Sequence, residues 1–149
     1  MKDDALFYTC SLIEYIGRSK KRSRSAVVDK LGKENLKRIY RYAEVLHCEP
    51  IEKIADEYIH LIRLRKGTYD NIAACKYLVP DYWAIGSVYS RLIEDVQKDD
   101  VISALVEVYH SKLSEHISDY NSAICFQPRD YLREQYIQEK SKKDDGSQT

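Results

Sequence analysis

The chain has 149 residues, close to the usual size of one domain and long enough to bury a full core. Lys plus Arg and Asp plus Glu each number 24, so the whole chain has no bulk attraction for nucleic acid or membrane, and any such binding needs a local patch. At 44% apolar residues with only 5 Gly and 3 Pro it favours helices over turn-rich β structure, and no apolar run nears the ~20 residues that span a bilayer.

Residues 3–16 read as a first helix, capped by Asp3 or Asp4 and ended by Gly17. Apolar residues occupy almost every side of it between Ala5 and Tyr8, so neighbours are expected on several faces. Five cations, Arg18, Lys20, Lys21, Arg22 and Arg24, then form a basic turn. Ser25 can cap a short helix, AVVDKL, closed by Gly32. Over 33–47, Leu36, Ile39, Tyr40, Ala43 and His47 follow the spacing of one helical face, opposite Glu34, Lys37, Arg38, Arg41 and Glu44. Pro50 suits the first position of a helix over about 50–64, whose stripe is Ile51, Ile54, Ala55, Tyr58 and Ile62.

Lys66–Asp70 is a break and a place where two subdomains could divide, although one domain over 1–140 is the preferred reading. A short helix over 71–79 is expected to stop at Pro80. Asp81 caps the next, with Ile85, Val88, Tyr89, Leu92 and Val96 on its face and Gly86 suggesting close approach to a neighbour. From Asp99–Asp100 the stripe Ile102, Leu105, Val106, Tyr109, Leu113, His116 and Tyr120 predicts one long helix to about 121. A connection over 122–130 leads to a last helix over 129–140, and residues 141–149 are expected to be a disordered tail. No stretch alternates at period two. The expected fold is all-α, a compact bundle of about six to eight helices with a long helix near residues 100–121.

The chemistry is narrowed mostly by exclusion. Glu-x-x-His occurs at Glu44–His47, Glu57–His60 and Glu107–His110, the unit used in dinuclear metal bundles. At about 100° per residue at most one of these pairs faces a core, so no metal site is assigned and no cofactor is expected. There is no nucleophile elbow, phosphate loop or glycine-rich dinucleotide turn, and Cys48 next to His47 cannot form a working pair within one helix, so no catalytic residue is assigned. His116, on the apolar side of its helix, reads as a core histidine. The N-terminus opens on Lys2, Asp3 and Asp4 without a signal peptide, so Cys10, Cys48, Cys75 and Cys125 are expected to be reduced thiols in a cytoplasmic protein.

Two binding surfaces stand out. Tyr69, Tyr77, Tyr82 and Trp83 cluster around Pro80 in a chain with 13 tyrosines, and aromatic residues are enriched at interface hot spots. The competing reading is that these rings close the gap between helix layers. The second surface is the basic turn followed by a helix pair, the outline of a helix-turn-helix reader, for which Arg18, Lys20, Lys21, Arg22, Arg24, Lys37 and Arg41 would contact phosphates. The competing reading there is a solvated turn.

FYTCSLIEYIGR, AEVLHCEP, YWAIGSVYSRLI and VYHSKLSEHISDYNS together resemble a family of small uncharacterised bacterial helical proteins, over most of residues 5–125. Members are sometimes encoded beside toxins that look like ADP-ribosyltransferases. The resemblance implies a cytoplasmic bacterial protein acting as an antitoxin-like or accessory partner, and it carries no functional residue with it. The expected function is therefore a non-enzymatic protein-interaction module, with a small DNA-binding regulator using residues 18–42 as the alternative.

Overall fold

The structure, a computed structural model, describes residues 3–146, with side chains through Lys142. The elements are α1 (Asp4–Lys20), α2 (Arg24–Arg41), α3 (Ala43–Leu46), α4 (Ile51–Ile62), α5 (Asn71–Ala74), α6 (Tyr82–Val96), α7 (Val101–Tyr109) and α8 (Lys112–Ser118). Two short 3-10 turns, Tyr120–Ser122 and Ile124–Phe126, lead to α9 (Arg129–Gly146). The protein is an all-α bundle, with no strand among the described residues.

The bundle is organised around α1. Asp3 caps it by accepting from the Leu6 amide at 3.0 Å, and the other Asp3 oxygen accepts from the Tyr40 hydroxyl at 2.6 Å. Leu6, Tyr8, Cys10, Leu12, Ile13 and Ile16 are all buried, which takes in several faces of the helix. The covers come from α2, α3, α4 and α6, and one core runs on through Ile85, Tyr89 and Leu105 to Leu132 and Tyr136 of α9. That core unites residues from both sides of the 66–70 break.

Gly17 does not end α1. The helix continues for another turn to Lys20, and Lys21 takes the left-handed conformation at φ 51° that closes it. The glycine serves a different need: a Cβ there would lie 2.4 Å from Cδ of Arg24, whose side chain crosses the helix at that point. Glycine signals both helix ends and close approaches, and here the second reason applies. Ser23, not Ser25, caps α2, accepting from the Ala26 amide at 3.3 Å. Gly32 (φ 74°) then kinks α2 in the middle, and Tyr42 separates its second half from the single turn of α3.

The predicted long helix over 100–121 is two helices. Its stripe continues across a break at His110–Ser111, which hides the break from periodicity alone. Ser111 is extended (ψ 159°); its hydroxyl donates to the Val108 carbonyl at 2.6 Å and accepts from the Ser114 amide at 3.1 Å. The next amides of α8 are also satisfied, since Lys112 and Leu113 each donate to the Glu139 carboxylate of α9 at 2.9 Å. The break re-aims α8, so His116 is exposed while Ile117 and Tyr120 are buried. Ser111→Ala is expected to cost about 1–2 kcal/mol, read as a lower urea midpoint with unchanged slope.

The final helix runs to Gly146 instead of stopping at 140, so it covers most of the stretch expected to be a disordered tail. Once its first turns dock through Leu132 and Tyr136, good helix formers such as Glu139 and Lys140 extend it by one hydrogen bond per residue. Residues 147–149 of that tail lie outside the described residues. Among the described residues no helix is long and apolar enough to cross a membrane.

Candidate interaction surface

The residues around Pro80 rest on a buried ionic cluster. Glu14 is an acid in an otherwise apolar helix, and both it and Arg24 are almost completely buried. Arg24 grips it with two donors, Nε to Oε1 at 2.9 Å and Nη2 to Oε2 at 3.0 Å. Arg18, one turn along α1, donates through Nε to Oε2 at 2.7 Å, and the Tyr120 hydroxyl donates to the same oxygen. Burial alone would raise the Glu14 carboxyl; the Arg24 charge and hydrogen bonds, helped by Arg18 and Tyr120, outweigh it and hold the group at about 2. Burial and then the Glu14 charge push the Tyr120 hydroxyl up to about 12.

The cluster fastens loops as well as neutralising charge. Arg18 Nη2 donates to the Pro80 carbonyl at 2.6 Å, anchoring the end of the segment before α6. Arg24 donates to the Asn71 side-chain oxygen at 3.1 Å, and Asn71 Nδ2 donates to the Ser118 carbonyl at 2.9 Å, anchoring its beginning. Asn121 grips the middle: its Oδ1 accepts from the Lys76 amide at 2.8 Å and its Nδ2 donates to the Ala74 carbonyl at 3.0 Å. The expected helix over 71–79 is therefore only one turn, Asn71–Ala74, and Cys75 is already extended. Proline restricts only the residue before it, Val79; at Ala74 and Lys76 it is the two bonds to Asn121 that take up backbone groups a longer helix would use.

What this bracing presents is apolar. Tyr77 is 70% exposed and Leu78 is 91% exposed, on a segment tied at both ends and at its centre. Phe126, 65% exposed, ends the 3-10 turn Ile124–Phe126 that follows Asn121.

The four aromatic residues expected to form a contact surface separate into three roles. Tyr77 is exposed as anticipated. Tyr69 is partly exposed, with its ring 6.0 Å from the Arg24 guanidinium carbon, so it covers the ionic cluster. Tyr82 and Trp83 are half-buried and fill space between helices: Tyr82 meets Tyr15 edge-on at 5.2 Å, and Trp83 lies 5.5 Å from Phe7 and 5.6 Å from His47. Leu78 and Phe126 were not anticipated. The available signal was an aliphatic residue two places before a proline, where no helix could turn it inward.

The basic turn is largely used by the fold. Arg18 and Arg24 hold Glu14, Lys21 Nζ lies 3.5 Å from Asp70, and Arg22 donates to the Arg65 carbonyl at 3.0 Å. Lys20 is partly exposed, and Lys37 and Arg41 on α2 are exposed. Among the described residues no group of three or more His, Cys, Asp or Glu could hold a metal ion.

No protein-family model matches the chain, and no curated protein or solved structure is significantly similar to it. The surface must be read from its own chemistry.

Proposed function

We propose that the protein is a non-enzymatic interaction module whose contact surface is the braced Tyr77–Leu78 segment, acting as an antitoxin-like or accessory partner of a protein encoded beside it. The observation that carries this reading is the combination of two large, highly exposed apolar side chains with a segment held through the Asn71 side chain and the backbone of Ala74, Lys76 and Pro80. Exposed apolar area releases about 25 cal/mol per Å² when a partner covers it. An already ordered segment also avoids much of the roughly 0.5–1.5 kcal/mol per side chain that ordering an interface costs. A ring and a branched aliphatic side by side can fill a partner's pocket, with Phe126 as a further apolar contact.

Tandem purification of the tagged chain with the neighbouring gene product tests the reading. A stoichiometric complex is expected, and Tyr77→Ser with Leu78→Ser should weaken it by about 30-fold or more while leaving the thermal midpoint unchanged. Failure to form a complex, or a complex indifferent to both substitutions, would sink it.

A further inference from the structure

Two of the four thiols lie beside the same side-chain clamp. Asn121 accepts from the Lys76 amide at 2.8 Å and donates to the Ala74 carbonyl at 3.0 Å, so it lies across Cys75, the residue between them. The chain then passes Ala123, left-handed at φ 62°, and places Cys125 in the 3-10 turn Ile124–Phe126, which packs on the turn holding Asn121. Cys75 in turn packs against the core cluster to which Cys125 belongs. Both are free thiols, Cys75 half-buried and Cys125 buried. Burial, and after it the charge of the nearby Cys75, raise the Cys125 thiol against one backbone hydrogen bond. Cys10 is fully enclosed in the core, and Cys48 is exposed on the turn after α3.

These surroundings divide the work of oxidation between the two. Attack on a dissolved oxidant needs a sulfur that solvent reaches, which Cys75 offers, whereas the second sulfur needs only to reach the first. Cys75 lies in extended backbone at ψ 127° just past α5, and its thiol donates to the Tyr77 carbonyl at 3.4 Å, so it can turn without unwinding a helix. We propose that Cys75 and Cys125 are a reversible redox pair, in which a peroxide oxidises Cys75 and Cys125 then closes a disulfide across the base of the Tyr77–Leu78 segment. The Cys75 thiolate attacks one peroxide oxygen; an S–O bond forms, the O–O bond breaks, and the departing hydroxide takes up a proton as water. The Cys125 sulfur then attacks the Cys75 sulfur, the S–O bond breaks, and hydroxide leaves as water with the Cys125 proton. Two thiols are oxidised to one disulfide, one hydrogen peroxide is reduced to two waters, and a thiol reductant reverses the bond. The disulfide exchanges the bond to the Tyr77 carbonyl for a covalent tie to the turn that ends in Phe126. The pair needs no partner protein, so it stands apart from the Tyr77–Leu78 reading.

Hydrogen peroxide is added to the folded, reduced full chain, the remaining thiols are alkylated in urea, and the protein is digested without reductant for mass spectrometry. A linked peptide pair joining Cys75 to Cys125 is expected, lost on treatment with dithiothreitol, with Cys10 alkylated throughout. Dimedone, which traps sulfenic acids, should label Cys75 in Cys125→Ser and leave Cys125 unlabelled in Cys75→Ser. Absence of the Cys75–Cys125 peptide, or Cys75 joined to Cys48 in equal yield, overturns the proposal, and this readout on the unaltered chain holds whether or not either variant folds. Dimedone on Cys125 in Cys75→Ser overturns the division of roles.

Discussion

Glu14→Gln is expected to destabilise the protein by about 3–5 kcal/mol, because it leaves the Arg24 guanidinium buried without its counter-charge. Amide for carboxylate is nearly isosteric, so the loss is electrostatic and not a cavity. The remaining acceptors of Arg24, the Arg22 carbonyl at 2.8 Å and the Asn71 oxygen at 3.1 Å, are neutral. Combining Glu14→Gln with Arg24→Met should cost less than the sum of the two single changes, since each alone strands a buried group that the double variant lacks.

The same pair sets a pH signature. Glu14 falls from the usual 4.5 to about 2 on folding, so the native state binds its proton more weakly than the unfolded state does. Its stabilisation, on the order of 3 kcal/mol, is fully present above pH 4.5 and is lost as pH falls from 4.5 toward 2. Urea midpoints of wild type and Glu14→Gln should therefore differ most at neutral pH and converge in acid. A gap that stays constant down to pH 2 would show that Glu14 is not held ionised by Arg24.

The second large effect is expected at Gly86, where helix propensity and packing predict opposite signs. On propensity alone, alanine in mid-helix gains up to about 1 kcal/mol over glycine. In the bundle, a Cβ at Gly86 would meet Oγ of Ser11 at 2.0 Å and the Ser11 backbone N and Cα at 2.8 Å, where α6 crosses α1. Overpacking against backbone cannot be relieved by rotating a side chain, so Gly86→Ala should lower stability by about 1–3 kcal/mol net. That corresponds to a fall of roughly 2–12 °C in the thermal midpoint for a chain of this size. Adding Ser11→Ala removes the hydroxyl but not the backbone and should give little rescue. A raised midpoint would mean that the two helices are further apart than described.

Helix faces were legible because burial imposes a period: Leu36 and Ile39 on α2, Ile54 and Tyr58 on α4, and Ile85, Tyr89 and Leu92 on α6 are all in the core. Asp81 and Asp100 cap where an acid before an apolar stripe suggests, accepting from Ala84 at 2.7 Å and Ile102 at 3.2 Å. Features that depend on a second segment were not legible. Ser111 looks like any residue between two stretches of one stripe until its side chain is seen turned back on the backbone. Arg24 looks like part of a solvated turn because residue type does not reveal which carboxylate lies opposite. Glu14 held the clue, as an isolated acid in an apolar helix needs either solvent or a partner. The contact surface was half legible for the same reason: Tyr77 and Tyr82 are the same residue type, and only the packing of Tyr82 against Tyr15 distinguishes them.

The burial of α1 beneath α6 also has a consequence for synthesis on the ribosome. Helix α1 is buried on several faces, while its principal cover, Tyr82–Val96, is made more than 60 residues later. At about 5–20 residues per second α1 waits on the order of 4–15 s before that cover exists. Its local partner α2 covers it only in part in that interval. Glu14 is already present in α1, whereas Asn71, Pro80 and Tyr120, the other partners of Arg24 and Arg18, are made only later.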